Sequence, residues 1–517
     1  MEKYSLPERN VVFSDRNELD VTMTVALDEY CPNAVRIVRC DLCSMLSDWS
    51  VTDGAIEYGG RNVFRVVYVS DYNDSLRSVN FEQEFSGVMK IGTALPEDKT
   101  DIYMCARTIH CAAKILSARQ LELKGRVMIS GNAVSRGEIQ LYGDKAESSE
   151  NICVLEETLE MCEKIRIDCE KAQIESDISL AEGEMSVGEM LYTEICPYVT
   201  QSECQDGKLI VSGNVHARFV YVPEVQTNTQ QASLANEPVC VTRDIPFETQ
   251  IYNDSITERG YAFAQAIPVY AKTGVSYDPY GENRVLSLSA DMGISGFVYE
   301  CANVCICTDV FGVGQNVKAE FVPITYDIVC DTAKENIHIS EKLHADPRSF
   351  SRITDCGVDV RVTGTEVSEG KMYAAVHADA SLFGMGENGS ANFTQSGFNM
   401  KVPISTASNP AEVKADMMIQ TKDVHCEIKN GELIVQANAM LYGVMTEKMT
   451  TNAVGSISVS ENDSDSEKGQ IIVYYPESTD TVWSVAKSYS VNPEMLKIAN
   501  GIEGDSLSGV KTVIITK

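Results

Sequence analysis

A glycine-led strand pattern recurs three times along this chain, and that recurrence restricts the fold more than any single motif does. Residues Asp53 to Val69 lie beside Asp206 to Val222 without a gap, so that Gly54, Gly60, Arg65, Tyr68 and Val69 fall on Gly207, Gly213, Arg218, Tyr221 and Val222. Glu369 to Phe383 is a weaker third copy. Each copy opens with a turn-forming glycine and continues with alternating side chains, the pattern of a hairpin leading into a long edge or barrel strand. A second alternating stretch follows each copy, at Ser117 to Gly131, Arg284 to Asp291 and Asn430 to Ala439. Repetition at this scale signals repeated structural units. The expected fold is mainly β, with three tandem sandwich or barrel-like units over 1–148, 149–308 and 309–455, each built of two similar halves. Helix is admitted among them only around Glu156 to Glu170.

Length agrees with several cores, because 517 residues exceed what one core supports. Acids number 75 against 43 Lys plus Arg, a net charge of −32, so repulsion argues against nucleic acid or an anionic membrane as a partner. Met1 to Asn10 lacks the apolar centre of a secretory signal, and no run approaches the roughly 20 apolar residues of a membrane span. The 17 cysteines are odd in number and scattered, which suits a reducing compartment. The expected location is cytoplasmic. Unpaired strand edges in three successive units predict elongated packing or self-association.

Candidate chemistry is sparse. Cys40 and Cys43 have the spacing of half a zinc site, with no second pair or nearby histidine to complete it. Cys301, Cys305 and Cys307 are separated by even numbers and share one face of a strand, where free cysteines act as small core residues. The six histidines are spread over different units, and neither a nucleophile elbow nor a phosphate-cradling loop occurs. Neither catalysis nor a cofactor or metal is expected.

Residues 456–470 are rich in Ser, Asp and Glu and predict a solvated linker. The tail beyond it, 471–517, is nearly neutral, with five acids and four lysines. Ile471 to Tyr475 and Val510 to Ile515 are β-branched runs that predict short strands. Between them Asp480 is the expected N-cap of a helix carrying Val482, Trp483, Val485, Ala486 and Tyr489. Asn492 and Pro493 start a second helix, with Met495, Leu496, Ile498 and Ala499 as its apolar face, and Gly501 ends it. The resulting order is βααβ, a small α+β domain with Trp483 as its core anchor.

The segment opened by Tyr474 to Ala486 resembles a LysM module, in which Asp480 and Thr481 fit the usual motif while Thr479 replaces a glycine and Ser508-Gly509 replaces Pro-Gly. The resemblance implies a module that binds glycan or protein, with Asp480, Thr481, Asn500, Gly501 and Ile502 at its candidate surface. The earlier units, with Cys31-Pro32, Cys196-Pro197, Asp206 to Val222 and Arg119 to Val127, are similar to SPOCS domains. Tandem SPOCS domains followed by one LysM look like the clostridial coat morphogenetic proteins. That family implies a protein of the mother-cell cytoplasm at the forespore surface, whose LysM binds the coat's ATPase scaffold. The alternative is a peptidoglycan-binding wall protein, recognising its GlcNAc glycan.

Overall fold

The computed structural model describes residues 3–52, 54–92, 100–142, 151–224, 237–343, 345–406, 409, 412–461 and 469–516. Eighteen long strands fall into three sets of six. The first set is β1 (Lys3–Ala26), β2 (Ala34–Thr52), β3 (Ala55–Ser70), β4 (Leu76–Lys90), β5 (Thr100–Ser117) and β6 (Gln120–Tyr142). The second is β7 (Ile152–Ser179), β8 (Val187–Gln205), β9 (Lys208–Pro223), β10 (Val239–Tyr252), β11 (Tyr261–Tyr277) and β12 (Asn283–Gly312). The third is β13 (Gln315–Lys342), β14 (Arg352–Ser368), β15 (Lys371–Met385), β16 (Ala391–Ile404), β17 (Val413–Lys429) and β18 (Glu432–Glu461).

One wiring recurs in all three sets. The sixth strand lies between the first and fifth in one antiparallel sheet, and the third lies between the second and fourth in another. The two sheets of a unit share no ladder, so each unit is a sandwich and not a closed barrel. They meet at a corner between second and fifth strands, where Thr108 donates to Leu42 O (2.8 Å), Thr193 Oγ1 meets Thr273 Oγ1 (2.7 Å) and Thr421 donates to Val358 O (3.2 Å).

The glycine-led copies are the third strands β3, β9 and β15. Gly54, Gly207 and Gly370 occupy the preceding turns with φ of 77°, 76° and 72°, a region that favours a residue without Cβ. These strands lie at the centre of their sheets, which corrects the expected edge position: each is flanked on both sides by a ladder. Their alternate residues build separate cores against the sixth strands: Phe64 and Val66 with Leu123, Val211 and Phe219 with Leu286, and Val376 and Leu382 with Leu433.

Other expectations are corrected as well. Glu156 to Glu170 lies inside β7, because Leu159, Met161, Ile165 and Ile167 follow a strand repeat and β12 supplies a full antiparallel partner. Cys31-Pro32 lies in the turn before β2, whereas Cys196-Pro197 lies inside β8, so these dipeptides are not equivalent. Cys162 and Cys301 face each other across β7 and β12 and form a disulfide, where free thiols were expected. Ser456 to Glu461 continue β18, because Glu320 to Gln315 of β13 offer them a ladder. Of the remaining linker residues 462–470, residues 462–468 lie outside the described residues.

The first and last strands of the second and third units run to 28 and 30 residues. At about 3.3 Å per residue a 30-residue strand spans about 100 Å, so their outer ends project past the sandwiches as ribbons, and β7 pairs with β13 at Cys162 and Asp327 to join the two units in one six-stranded sheet. Leu141, Leu159, Ile306, Ile324 and Ala453 bring ribbons of all three units together. The expected elongated array is therefore replaced by units gathered round shared contacts. Val67 and Leu76, Leu191 and Val220, and Phe383 and Met385 form a second cluster common to all three.

Candidate functional site

The tail contains β19 (Ile471–Tyr474), α1 (Val482–Tyr489), α2 (Pro493–Asn500) and β20 (Val513–Thr516), with β19 and β20 antiparallel. Val482, Val485, Ala486, Leu496, Leu507, Val513 and Ile515 are buried between helices and strands. Thr481, not Asp480, caps α1: its Oγ1 accepts from Ser484 N (3.0 Å) and its N–H donates to Ser484 Oγ (3.0 Å). Asp480 is drawn away because its carboxylate accepts from Tyr474 OH (2.7 Å) and Glu477 N (2.8 Å). These bonds, the backbone one foremost, hold its pKa below the ordinary carboxylate value. Asn492 caps α2 through Glu494 N (2.9 Å) and Met495 N (3.2 Å), and Gly501 closes it in the left-handed region at φ 61°.

The five candidate surface residues do not form one cluster of free polar groups. Asp480 and Thr481 lie beside Asp505 and Ser506: Val482 N donates to Asp505 O (2.7 Å), Leu507 N to Asp480 O (3.2 Å), and Thr481 bridges Ser506. Asn500 braces α2 against β20, donating to Leu496 O (2.9 Å) and Ile514 O (2.8 Å) and accepting from Ile514 N (2.7 Å). Gly501 is exposed, while Ile502 packs partly against the core. Asp505 and Ser506, which sequence reasoning passed over, complete the loop pairing, and only the short Glu503-Gly504-Asp505 turn hints at them.

Trp483 does more than fill the small core. Its indole Nε1 donates to Asp309 Oδ2 (2.8 Å) and its ring meets Phe311 edge-on at 4.9 Å between centroids. Lys487 Nζ reaches the same carboxylate at 2.6 Å. The tail is thus docked on the outer end of the β7/β12 ribbon. That end is apolar on both faces: Ile152, Val154 and Val310 pack with Val317 and Ile457 of the third unit, while Cys153, Leu155, Phe311 and Val313 meet the tail. A strand buried on both faces loses its alternation, which explains the continuous apolar run Ile152 to Leu155.

Away from the dock the tail presents apolar side chains to solvent. On the sheet face opposite the helices, Ile471, Val473 and Ile514 are 73%, 53% and 46% exposed, and on α2 Met495 and Ile498 are 65% and 74% exposed.

Charged groups concentrate instead where the units meet. Arg39 is buried against the Tyr192 ring at 4.2 Å and pairs with Asp41 (2.7 Å) and Glu194 (2.6 Å). Arg218 pairs with Asp355 (2.7 Å), which also accepts from Tyr192 OH (3.0 Å). Burial favours a neutral Glu194, but Arg39, Arg65 and Arg218 outweigh it and hold its pKa below the ordinary value. Asp41 faces Arg65 and Glu194 faces Arg218 across equivalent strand pairs, whereas the third unit places Gly357 opposite Ser381. A Cβ at Gly357 would lie 2.7 Å from Arg218 Nη2, so the missing side chain makes room for the neighbouring unit's arginine. The network sets opposite charges in close pairs across the junction of the units.

Among the described residues no group of three or more His, Cys, Asp or Glu is arranged to hold a metal ion. Cys40 lies beside Cys111, while Cys43 bonds to Val269 O, so the two thiols of the half-site spacing serve different contacts. No helix among the described residues is long and apolar enough to cross a membrane. The chain matches no protein-family model, no curated protein and no solved structure.

Proposed function

We propose that this chain is a non-enzymatic assembly protein whose C-terminal module binds a protein partner and whose three β units fix that module in place. The observation that carries this reading is the exposed apolar surface of the module at Ile471, Val473, Ile514, Met495 and Ile498, on the sides away from Asp309. Protein interfaces combine such apolar centres with polar rims, whereas the polar groups of Asn500 and Asp480 are already engaged within the module. The resemblance to LysM and to tandem SPOCS domains supports a partner in the spore coat. In that reading the chain is a cytoplasmic mother-cell protein at the forespore surface, similar to the SipL kind of coat morphogenetic protein, and the partner is the coat's ATPase scaffold.

The test compares sedimentation of the full chain with purified peptidoglycan against its capture by the purified scaffold ATPase. The adaptor reading expects capture by the scaffold, with loss of it in Met495→Asp and Ile514→Asp. Sedimentation with peptidoglycan alone transfers the function to a glycan-binding wall protein.

A further inference from the structure

We propose that the outer edge of β19 is an open strand-addition site, filled by an extended partner segment with alternating apolar side chains and basic flanks. The inference rests on the protein-binding reading and specifies how the module takes its partner.

The argument starts from the backbone of β20. Ile514 N–H donates to Asn500 Oδ1 (2.7 Å), and Ile514 C=O accepts from Asn500 Nδ2 (2.8 Å). Both groups therefore point away from β19, and the asparagine side chain closes the outer edge of β20 as a partner strand would. In an antiparallel ladder, residues facing each other alternate between pairs that exchange two bonds and pairs that exchange none. Ile514 and its register partner Val473 are of the second kind. Val473 N–H and C=O consequently point outward on the opposite edge, and no hydrogen bond to them is found among the described residues. Unpaired strand edges of this sort are templates for another strand.

The surroundings narrow the occupant. The α1 side of the module is docked on Asp309 and Phe311, which leaves the sheet face and the outer side of α2 open to a partner. On the sheet face Ile471, Val473 and Ile514 form an apolar strip that continues across the edge, which matches every second side chain of an added strand. The module itself is nearly neutral, so almost all of the net charge of −32 lies on the preceding units. A partner strand brought beside that body is favoured when its flanks are basic.

The experiment uses the full chain and two synthetic probes of equal charge, the strand-forming peptide Lys-Thr-Val-Thr-Val-Thr-Lys and the control Lys-Thr-Val-Pro-Val-Thr-Lys, whose proline cannot complete a ladder. Amide hydrogen exchange over 471–474 should slow about fivefold with the first peptide only, while 513–516 stays unchanged. In Val473→Pro the slowing should vanish. The substitution removes an outward N–H at an edge position, where proline leaves the ladder to β20 in place, and unchanged Trp483 emission in a Trp49→Phe background checks that the dock survives. No slowing, equal slowing with both peptides, or slowing retained in Val473→Pro overturns the proposal. Binding of the scaffold ATPase by the same preparation is read separately: capture without any peptide effect leaves the protein-binding reading standing and removes this one. Asn500→Ala gives a second arm, since opening the β20 edge should make 513–516 respond to the strand-forming peptide too.

Discussion

Trp483 and Asp309, 174 residues apart in sequence, are joined by an indole hydrogen bond of 2.8 Å. The contact fixes a 47-residue module to a ribbon end, and Lys487 on the next turn of α1 meets the same carboxylate. The module is thereby held against the second unit, with its sheet face left open.

Removing the Asp309 carboxylate should release that hold. Asp309→Ala leaves the indole N–H and Lys487 without their acceptor, a loss of about 1–3 kcal/mol of docking free energy. With Trp49 replaced by Phe, Trp483 is the sole tryptophan, and its emission should shift to the red. An unshifted spectrum would show that the dock does not depend on this residue.

Gly357→Ala should strain the junction of units. The added methyl would lie 2.7 Å from Arg218 Nη2, which is itself held on Asp355, so overpacking should cost about 1–3 kcal/mol. Thermal unfolding of the variant is expected to begin several degrees lower, by about the shift that such a loss produces. Gly364→Ala, where the added atom meets nothing within 4 Å, is the matched control.

Acid should weaken the same junction. Glu194 has a folded pKa below its ordinary 4.5, so its contribution is complete above that value and is lost as pH falls through the depressed folded value. Midpoints of urea unfolding between about pH 3 and 6 should fall with acid in the wild type and change less in Glu194→Gln. A Glu194→Gln profile parallel to that of the wild type would assign the acid sensitivity elsewhere.

Reduction should loosen the second unit. Cys162–Cys301 closes a loop spanning 139 residues, so Cys162→Ser is expected to cost about 3–5 kcal/mol when the wild type is kept oxidised. Non-reducing peptide mapping should show the two cysteines joined. Free, alkylatable Cys162 in protein purified without reductant would contradict the pairing.

Much of the β architecture was legible because it rests on local patterns. Gly54, Gly207 and Gly370 mark equivalent turns, and the alternation after them persists in β3, β9 and β15. Glu156 to Glu170 misled because its charged residues suit a helix, and only the β12 partner decides otherwise. The tail's cap was off by one: Asp480 and Thr481 are both good capping residues, and Tyr474, distant from neither, takes the aspartate. The unit junction was not legible, since Arg39, Glu194 and Asp355 look like ordinary strand charges. Its trace in sequence is the departure of the third copy, where Gly357 and Ser381 stand where the other units carry an acid and an arginine. The dock left a clearer trace that went unread, the apolar run Ile152 to Leu155.

The most direct test is an equilibrium titration of the full chain with purified coat scaffold ATPase, set beside one with soluble peptidoglycan fragments. The account predicts saturable scaffold binding that weakens about tenfold or more in Ile514→Asp, with no response to the glycan. Saturable glycan binding that Ile514→Asp leaves intact, with none to the scaffold, would contradict it.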